Sequence, residues 1–505
     1  MTNEAKLPRR RPKDAHYWCT LGVVTALLCL PVLSVTYVPL VDYPNHLARI
    51  HILYQYAEVP AYQATYYRVL EPIPNLAMDF VVPLMLPFID ILAAGRIFLV
   101  LTILLFITGC HQLGKAIHGR PTWLVLPCVF FFYNSMLLYG FVNYMVGIAL
   151  YCITVALRLE LRGRWSGRRL LTLTLLSLLA FFAHLSAYAF LGVTFVVVTA
   201  WDYLTGKEEL YRAALSLAPL LIPCVCFVVF MKGSGTLGHL ERNTIRGKLL
   251  GMLALILSYN YTVDLLLVIS LLGIFIVLFT RTRGVQVDWA VFTSGAIFTI
   301  LYLLSPKVLF GSFAADVRFI LPAALLLTFS LKVSILAQTK VVLLSLFLLV
   351  ASVRVAFIWR TWVTLDERIA VHVEGLKQLP FDARVYPMFV LQGNRQEQKI
   401  ERSLNHVVNY ATIYRHAFVP TLFTYEGQQP LLLRARSRYI GADQWQTEQW
   451  VQLSDQWIPL LANYDYVWGH SVDGRLEELL RIKCTKIGES GTFSLWQVNR
   501  QAPSN

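Results

Sequence analysis

The chain has 505 residues, 56% of them hydrophobic and only 15% charged, with a mean hydropathy of +0.56. A soluble globular domain carries about 25% charged residues, so an ordinary soluble enzyme is excluded, and so is intrinsic disorder, because far too much apolar surface is present. Of the net charge of +14, all but one unit lies before Arg360, since from there on 16 basic residues meet 15 acidic ones; this surplus sits in short loops, where Lys and Arg set membrane orientation, and does not call for nucleic acid.

The opening MTNEAKLPRRRPKD is basic and precedes an apolar run from Tyr17 to Leu40. That run is longer than a signal-peptide core, so it reads as a retained first membrane helix with a cytoplasmic N-terminus. A long loop follows, over 41–90. It contains PNHLARIHILYQYAE, an amphipathic helix opened by Pro44. It also contains LAMDFVVPLMLPF over 76–88, which is too short to cross a bilayer and reads as interfacial or re-entrant.

Further apolar runs occupy 91–112, 121–138, 140–159, 168–183, 186–203, 212–231, 262–280, 289–304, 318–338 and 341–358, giving about eleven spans with the first. Lys332, in the tenth, is expected to snorkel inward. With the N-terminus inside, the cytoplasmic loops hold 17 basic and 7 acidic residues, the bias the positive-inside rule requires. An odd number of spans puts the C-terminus outside. The second sizeable outer loop, Lys232 to Lys248, begins with Gly233, Gly235 and Gly238.

From Arg360 the composition changes. WVTLDERIAVHVEGLKQL has helical spacing, DARVYPMFVL and YDYVWGH read as strands, DGRLEELLRIK as a helix and KIGESGTFSLWQV as a hairpin. The expected organisation is a basic N-terminus over 1–16, a transmembrane domain over 17–359 with the outer loop 41–90, and an external α/β domain over 360–505. The eight cysteines show neither a pairing framework nor zinc spacing. The absence of a Walker loop, a G-x-S-x-G elbow or H-E-x-x-H argues against an ATPase or a zinc protease.

In this topology a set of polar residues gathers at the outer face: Asp42 and His46, Tyr139 and Asn143, His184, and Lys307, Asp316 and Arg318. Ionisable groups at a membrane are costly and often functional. Asp42 and His46 are four apart and share a helix face, with Arg49 one turn on. Two readings of Asp42 stand side by side, a helix cap or a general base for an acceptor hydroxyl. Gly140 and Asn143 suit a tight turn or a substrate contact, and His184 a helix end or a site. Lys307 and Arg318 serve as snorkelling anchors or as cations for a lipid phosphate, with Asp316 a partner for Arg318.

The stretches VPLVDYPNHLARIHIL, PNLAMDF, LLYGFVNYMVGIAL, FFAHLSAY and SPKVLFGSFAADVRFILP, in that order, resemble the GT-C superfamily of polytopic glycosyltransferases. The resemblance covers about the first 340 residues and an outer C-terminal domain. It implies a bacterial inner-membrane enzyme that moves a sugar from a polyprenyl-phosphate donor to a saccharide, lipid or protein acceptor at the outer face. Asp42 corresponds to the essential acid of the first outer loop, with His46 beside it. Arg49, Tyr139, Asn143, His184, Lys307, Asp316 and Arg318 are the substrate-binding candidates, and Arg68 a weaker one. Paired acids of many GT-C first loops are not matched, since Tyr43 follows Asp42, and a further outer-loop acid is replaced by Asn143. A divalent metal ion as cofactor is thereby left open. The rival readings are a transporter or flippase for lipid-linked saccharide and a non-catalytic subunit of an envelope polysaccharide assembly system.

Overall fold

The computed structural model describes residues 12–499 apart from 70, 163, 231–239, 283, 310–311, 335 and 435–444; the basic cluster up to Arg11 and the run Gly233, Gly235 and Gly238 lie outside the described residues. Helix α1 (Pro12–Leu33) carries Pro31 in its last turn and stops there, so the first apolar run ends seven residues earlier as a helix than as a sequence. Helix α2 (Tyr43–Gln55) starts with Pro44 in its first turn, as its sequence predicts. Residues 76–88 form a five-residue helix, Ala77–Val81, and a 3-10 turn, Val82–Leu84. Neither is long enough to span a bilayer.

Helix α3 (Ile91–His118) begins where the Asp90 carboxylate accepts from the amides of Leu92 and Ala93. Its 28 residues rise roughly 42 Å, more than the thickness of a hydrocarbon core. The third apolar run is not one helix. It breaks into Val125–Val129, a 3-10 turn at Phe130–Phe132 and Ser135–Leu138. The break has a local cause: Asn134 turns its side-chain oxygen to the amides of Met136 and Leu137 and starts a new helix. Helix α4 (Val142–Glu160) is the most enclosed, and packs on α3 where Gly109 lets the backbones meet; a Cβ there would lie 2.7 Å from the Ala149 carbonyl oxygen.

Helices α5 (Gly167–Ala183) and α6 (Leu185–Leu204) meet at His184, whose extended backbone separates them. After the apolar stretch Leu210–Val229 come α7 (Tyr261–Arg281), α8 (Trp289–Leu304) and α9 (Ile320–Ser330). The tenth apolar run therefore ends as a helix at Ser330. Lys332 does not snorkel from it but lies in the strand Leu331–Ser334, opposite Gln286 of the antiparallel strand Gly284–Val287. Helix α10 (Ala337–Leu376) is 40 residues long and runs unbroken through Arg360, where the composition changes.

Among the described residues, six helices are long and apolar enough to cross a membrane: α1 from Ala15, α3, α4, α6, Leu210–Val229 and α10. Four shorter apolar stretches, Val125–Leu138, Tyr261–Val277, Trp289–Leu304 and Val317–Ser330, accompany them. With α5 they account for each apolar run of the sequence.

Beyond α10 a four-stranded sheet forms from β1 (Val385–Phe389), β2 (Tyr466–His470), β3 (Cys484–Ser490) and β4 (Phe493–Val498) in the order β1-β2-β4-β3. Strands β1 and β2 are parallel and the other pairs antiparallel. Trp450, Trp457, Trp468 and Trp496 are fully buried around it. This C-terminal unit also grips the first loop. Tyr66–Arg68 pairs antiparallel with Leu431–Leu433, the helix Tyr410–Arg415 packs on α2, and the Tyr62 hydroxyl donates to the Thr412 carbonyl at 2.9 Å. The first loop is thus held between the helices and the C-terminal sheet.

Candidate active site

Asp42 stands at the start of α2, but its carboxylate does not cap the helix. Its backbone is tied elsewhere. The Asp42 amide donates to the Tyr139 carbonyl at 3.1 Å. Gly140 lies against it with φ +96°, where a Cβ would come within 2.8 Å of the Asp42 Cβ. Only glycine tolerates both that angle and that contact, so the turn expected at Gly140 is also what seats Asp42. The side chain is 17% exposed, and the nearest ionisable atom is Nε2 of His406, 3.6 Å from Oδ1. That is a polar contact longer than a hydrogen bond. Burial pushes the Asp42 carboxyl up to about 7, because the charged form loses its hydration without a compensating partner. The same burial, with Arg49 second, pushes His46 down to about 3, and burial pushes His406 down to about 4. The His406 ring beside the carboxylate is neutral at pH 7, and so is that of His46, one turn along α2.

Arg49 is committed to structure. Its Nε and Nη2 reach the two oxygens of Asp79 at 2.8 and 2.6 Å, Nη1 donates to Gln429 Oε1 at 2.5 Å, and Nη2 sits 3.1 Å from His46 Nδ1. The acid inside the short segment 76–88 is thus neutralised by a bidentate fork, and the fork orients His46. Asn143 pins the same segment, accepting from the Met78 amide at 2.9 Å and donating to the Asn75 carbonyl at 2.5 Å. His184 accepts from the Ser186 amide at 3.2 Å, so it caps α6, and its ring meets Tyr144 edge-on at 5.4 Å. Of the open readings, these contacts give Asn143 and His184 the structural one.

Arg318 differs. Its Nη2 donates to Ser312 Oγ and to the Phe313 carbonyl, both at 2.9 Å, and its guanidinium lies 5.1 Å from the Phe141 ring centre. Its Nε is buried without a hydrogen-bond partner among the described residues. Phe141 follows Gly140, so one short turn touches Asp42 with one residue and Arg318 with the next. Tyr139 completes that turn, its ring edge-on to Phe313 at 5.9 Å. Asp316 does not pair with Arg318. It takes Lys248 Nζ at 2.6 Å, and that ammonium also bonds the carbonyls of Tyr302 and Ser305. Lys307 is half-exposed and paired with Glu241 at 2.8 Å, and Arg68 is exposed with its guanidinium on the Tyr56 ring.

His406 and Gln429 were not foreseen. Both come from the C-terminal unit, more than 350 residues from the groups they touch, and no periodicity links them. A weak signal existed for Arg49 and Asp79, because an acid within an apolar segment demands a cation. Among the described residues, no three His, Cys, Asp or Glu side chains converge as a metal-ligand set.

No protein-family model matches the chain, and no curated protein matches it either. Among solved structures it is similar to ArnT from Cupriavidus metallidurans in the apo state, with a TM-score of 0.53 and 13% identity over 96% of this chain and 98% of that one. The same protein bound to undecaprenyl phosphate gives a TM-score of 0.51 and 10% identity over 95% and 98%. At such identities the likeness is one of fold: nearly the whole chain shares the polytopic helical architecture of ArnT, a GT-C glycosyltransferase.

Proposed function

We propose that the protein is a GT-C-type transferase that moves a sugar from a polyprenyl-phosphate donor to an acceptor hydroxyl at the outer face of the inner membrane. Asp42 carries the reading. It is a carboxyl at the membrane edge, enclosed, turned away from its own helix N-terminus and poised near neutrality, where a general base is most effective. The bound undecaprenyl phosphate of the fold relative supports a lipid-phosphate donor. The positive-inside bias supports an outward-facing first loop.

In the reaction, the acceptor oxygen attacks the anomeric carbon and loses its proton to the Asp42 carboxylate. The bond from that carbon to the phosphate oxygen breaks, and the polyprenyl phosphate leaves with the electron pair. Arg318, with Nε unpaired and two fixed bonds on Nη2, is placed to take that charge without reorganising. His406, the ring nearest the carboxylate, is neutral, as is His46, held by Arg49, so neither stabilises the anion and its basicity stays high. Lys307 stands further out as a cation for the approaching phosphate.

The test is transfer from a radiolabelled polyprenyl-phosphate sugar by the purified full chain, compared with Asp42→Asn. Loss of transfer in a variant at least as thermally stable as the parent is expected. Unchanged transfer would overturn the proposal.

A further inference from the structure

We infer that the end of the helix bundle remote from Asp42 carries a binding site for an anionic phospholipid, built from the loop between α4 and α5, the loop after α6 and the outer flank of α5. Helix α4 starts in the turn that seats Asp42 and runs for 19 residues to Glu160, a rise of roughly 28 Å. The site therefore stands at the opposite membrane surface from Asp42 and Arg318, and it does not rest on the transfer reaction.

Buried charge clasps the two loops together. Arg158 Nη2 reaches Glu208 at 3.4 Å and Asp202 at 3.6 Å, and Arg162 Nε donates to Asp202 at 2.9 Å. The Trp165 indole donates to the other oxygen of Glu208 at 3.1 Å. Both acidic side chains are fully buried and matched by the two arginines. What remains on the surface is mainly cationic. Arg164, Arg168, Arg169, Lys207 and Arg212 are exposed, against Glu160 and Glu209. Among the described residues none of the five cations forms an ion pair. Arg169 donates to the Arg164 carbonyl and Arg212 to the Tyr211 hydroxyl, whereas the side chains of Arg164, Arg168 and Lys207 make no hydrogen bond among the described residues. A free guanidinium is a ready fork for a phosphate diester.

Next to the cations the surface turns apolar. Arg168, Leu171, Leu175 and Leu179 are spaced to share one face of α5, and each of the three leucines is more than half exposed. The stretch Leu210–Val229 packs on α5 and bares Leu221, Ile222 and Val225. A ligand for this flank must be negative at one end and apolar along the rest. An acidic peptide or a free phosphate matches the cations alone, and a zwitterionic lipid the leucines alone. A phospholipid with net negative charge matches both.

The experiment is native mass spectrometry of the delipidated full chain, mixed in detergent with equal amounts of dioleoyl phosphatidylglycerol and dioleoyl phosphatidylcholine. Preferential retention of phosphatidylglycerol is expected, and equal retention of the two would overturn the proposal. Each cation beside an anionic headgroup contributes about fivefold in affinity. Arg164→Gln with Arg168→Gln should therefore weaken phosphatidylglycerol binding at least about tenfold, and Lys207→Gln alone at least about threefold, both with a parental thermal midpoint. Lys115→Gln with Arg281→Gln removes the same charge from the ends of α3 and α7 and should weaken it less than about twofold. An equal loss in the two double variants would reduce the effect to diffuse surface charge and overturn the site. Soluble glycerol phosphate should not displace the lipid; displacement at equal concentration would overturn the apolar half of the assignment. Retention needs no turnover and should be unchanged in Asp42→Asn, so failure here is separate from failure of the transfer assay.

Discussion

The first loop carries two enclosed carboxylates with opposite surroundings. Around Asp79 both oxygens are filled by Arg49, whose remaining donors go to Gln429 and His46. Around Asp42, among the described residues, no Lys or Arg nitrogen lies within 4 Å, the His406 ring nitrogen is 3.6 Å away, and the proton is held to about pH 7. The sequence alone ranks both as acids beside a membrane. The difference teaches that a saturated acid fixes a segment, whereas an acid starved of partners keeps a basic electron pair available, at a cost to stability.

The sharpest way to break this comparison is to neutralise each side. Asp42→Asn should lower transfer by about 10²–10⁴-fold, the usual contribution of a general base. It should also stabilise the fold. The folded pKa of Asp42 lies above its unfolded value, so the native state binds the extra proton and loses stability as pH rises from about 4 to about 7; the amide removes that loss. A thermal midpoint at pH 8 below that of the parent would refute this half. Arg49→Met should instead cost about 3–5 kcal/mol, because it strands the Asp79 charge in the interior. Thermal unfolding should recover much of this in Arg49→Met with Asp79→Leu, and no recovery would mean that Arg49 has another role.

The pH dependence divides the two further. If Asp42 is the base, transfer should rise about tenfold per unit below pH 7 and level off above it, and the rising limb should vanish in Asp42→Asn. A smaller effect separates burial from contact. Burial, not the His406 imidazole, sets the Asp42 proton affinity, so His406→Phe should leave the midpoint of that limb within about half a unit. A full-unit shift would give the imidazole the larger part. Smallest of all, Lys307→Gln should change stability by less than about 1 kcal/mol, since its pair with Glu241 is half-exposed.

Much of the architecture is legible in the sequence because apolar length and loop charge answer to the bilayer alone. Each apolar run has a helix, and Pro44, the short helical turns of 77–84 and the β3–β4 hairpin lie where local chemistry puts them. The misreadings are local rules overruled by stronger ones. Asn134 splits a hydrophobic run because its side chain competes for backbone amides, and Leu331–Ser334 leaves the helix for a strand partner. At the candidate site, position singles out Asp42, and turn chemistry singles out Gly140. The pairing of Asp316 with Lys248 instead of Arg318, and the arrival of His406 and Gln429, depend on chain segments that meet only after folding. No spacing rule reports such meetings.

Helix α10 links these observations mechanically. Forty unbroken residues make a rod roughly 60 Å long, rooted among the apolar helices and ending against Phe493, where a Cβ on Gly375 would collide with the ring. Near its start Val341 and Val342 are exposed, whereas near its end Ile369, Val373 and Leu376 are buried, so the rod is held most firmly where it meets the C-terminal unit. One continuous helix that packs on α1 and α7 and also touches β4 couples the position of the C-terminal sheet to that of the apolar helices.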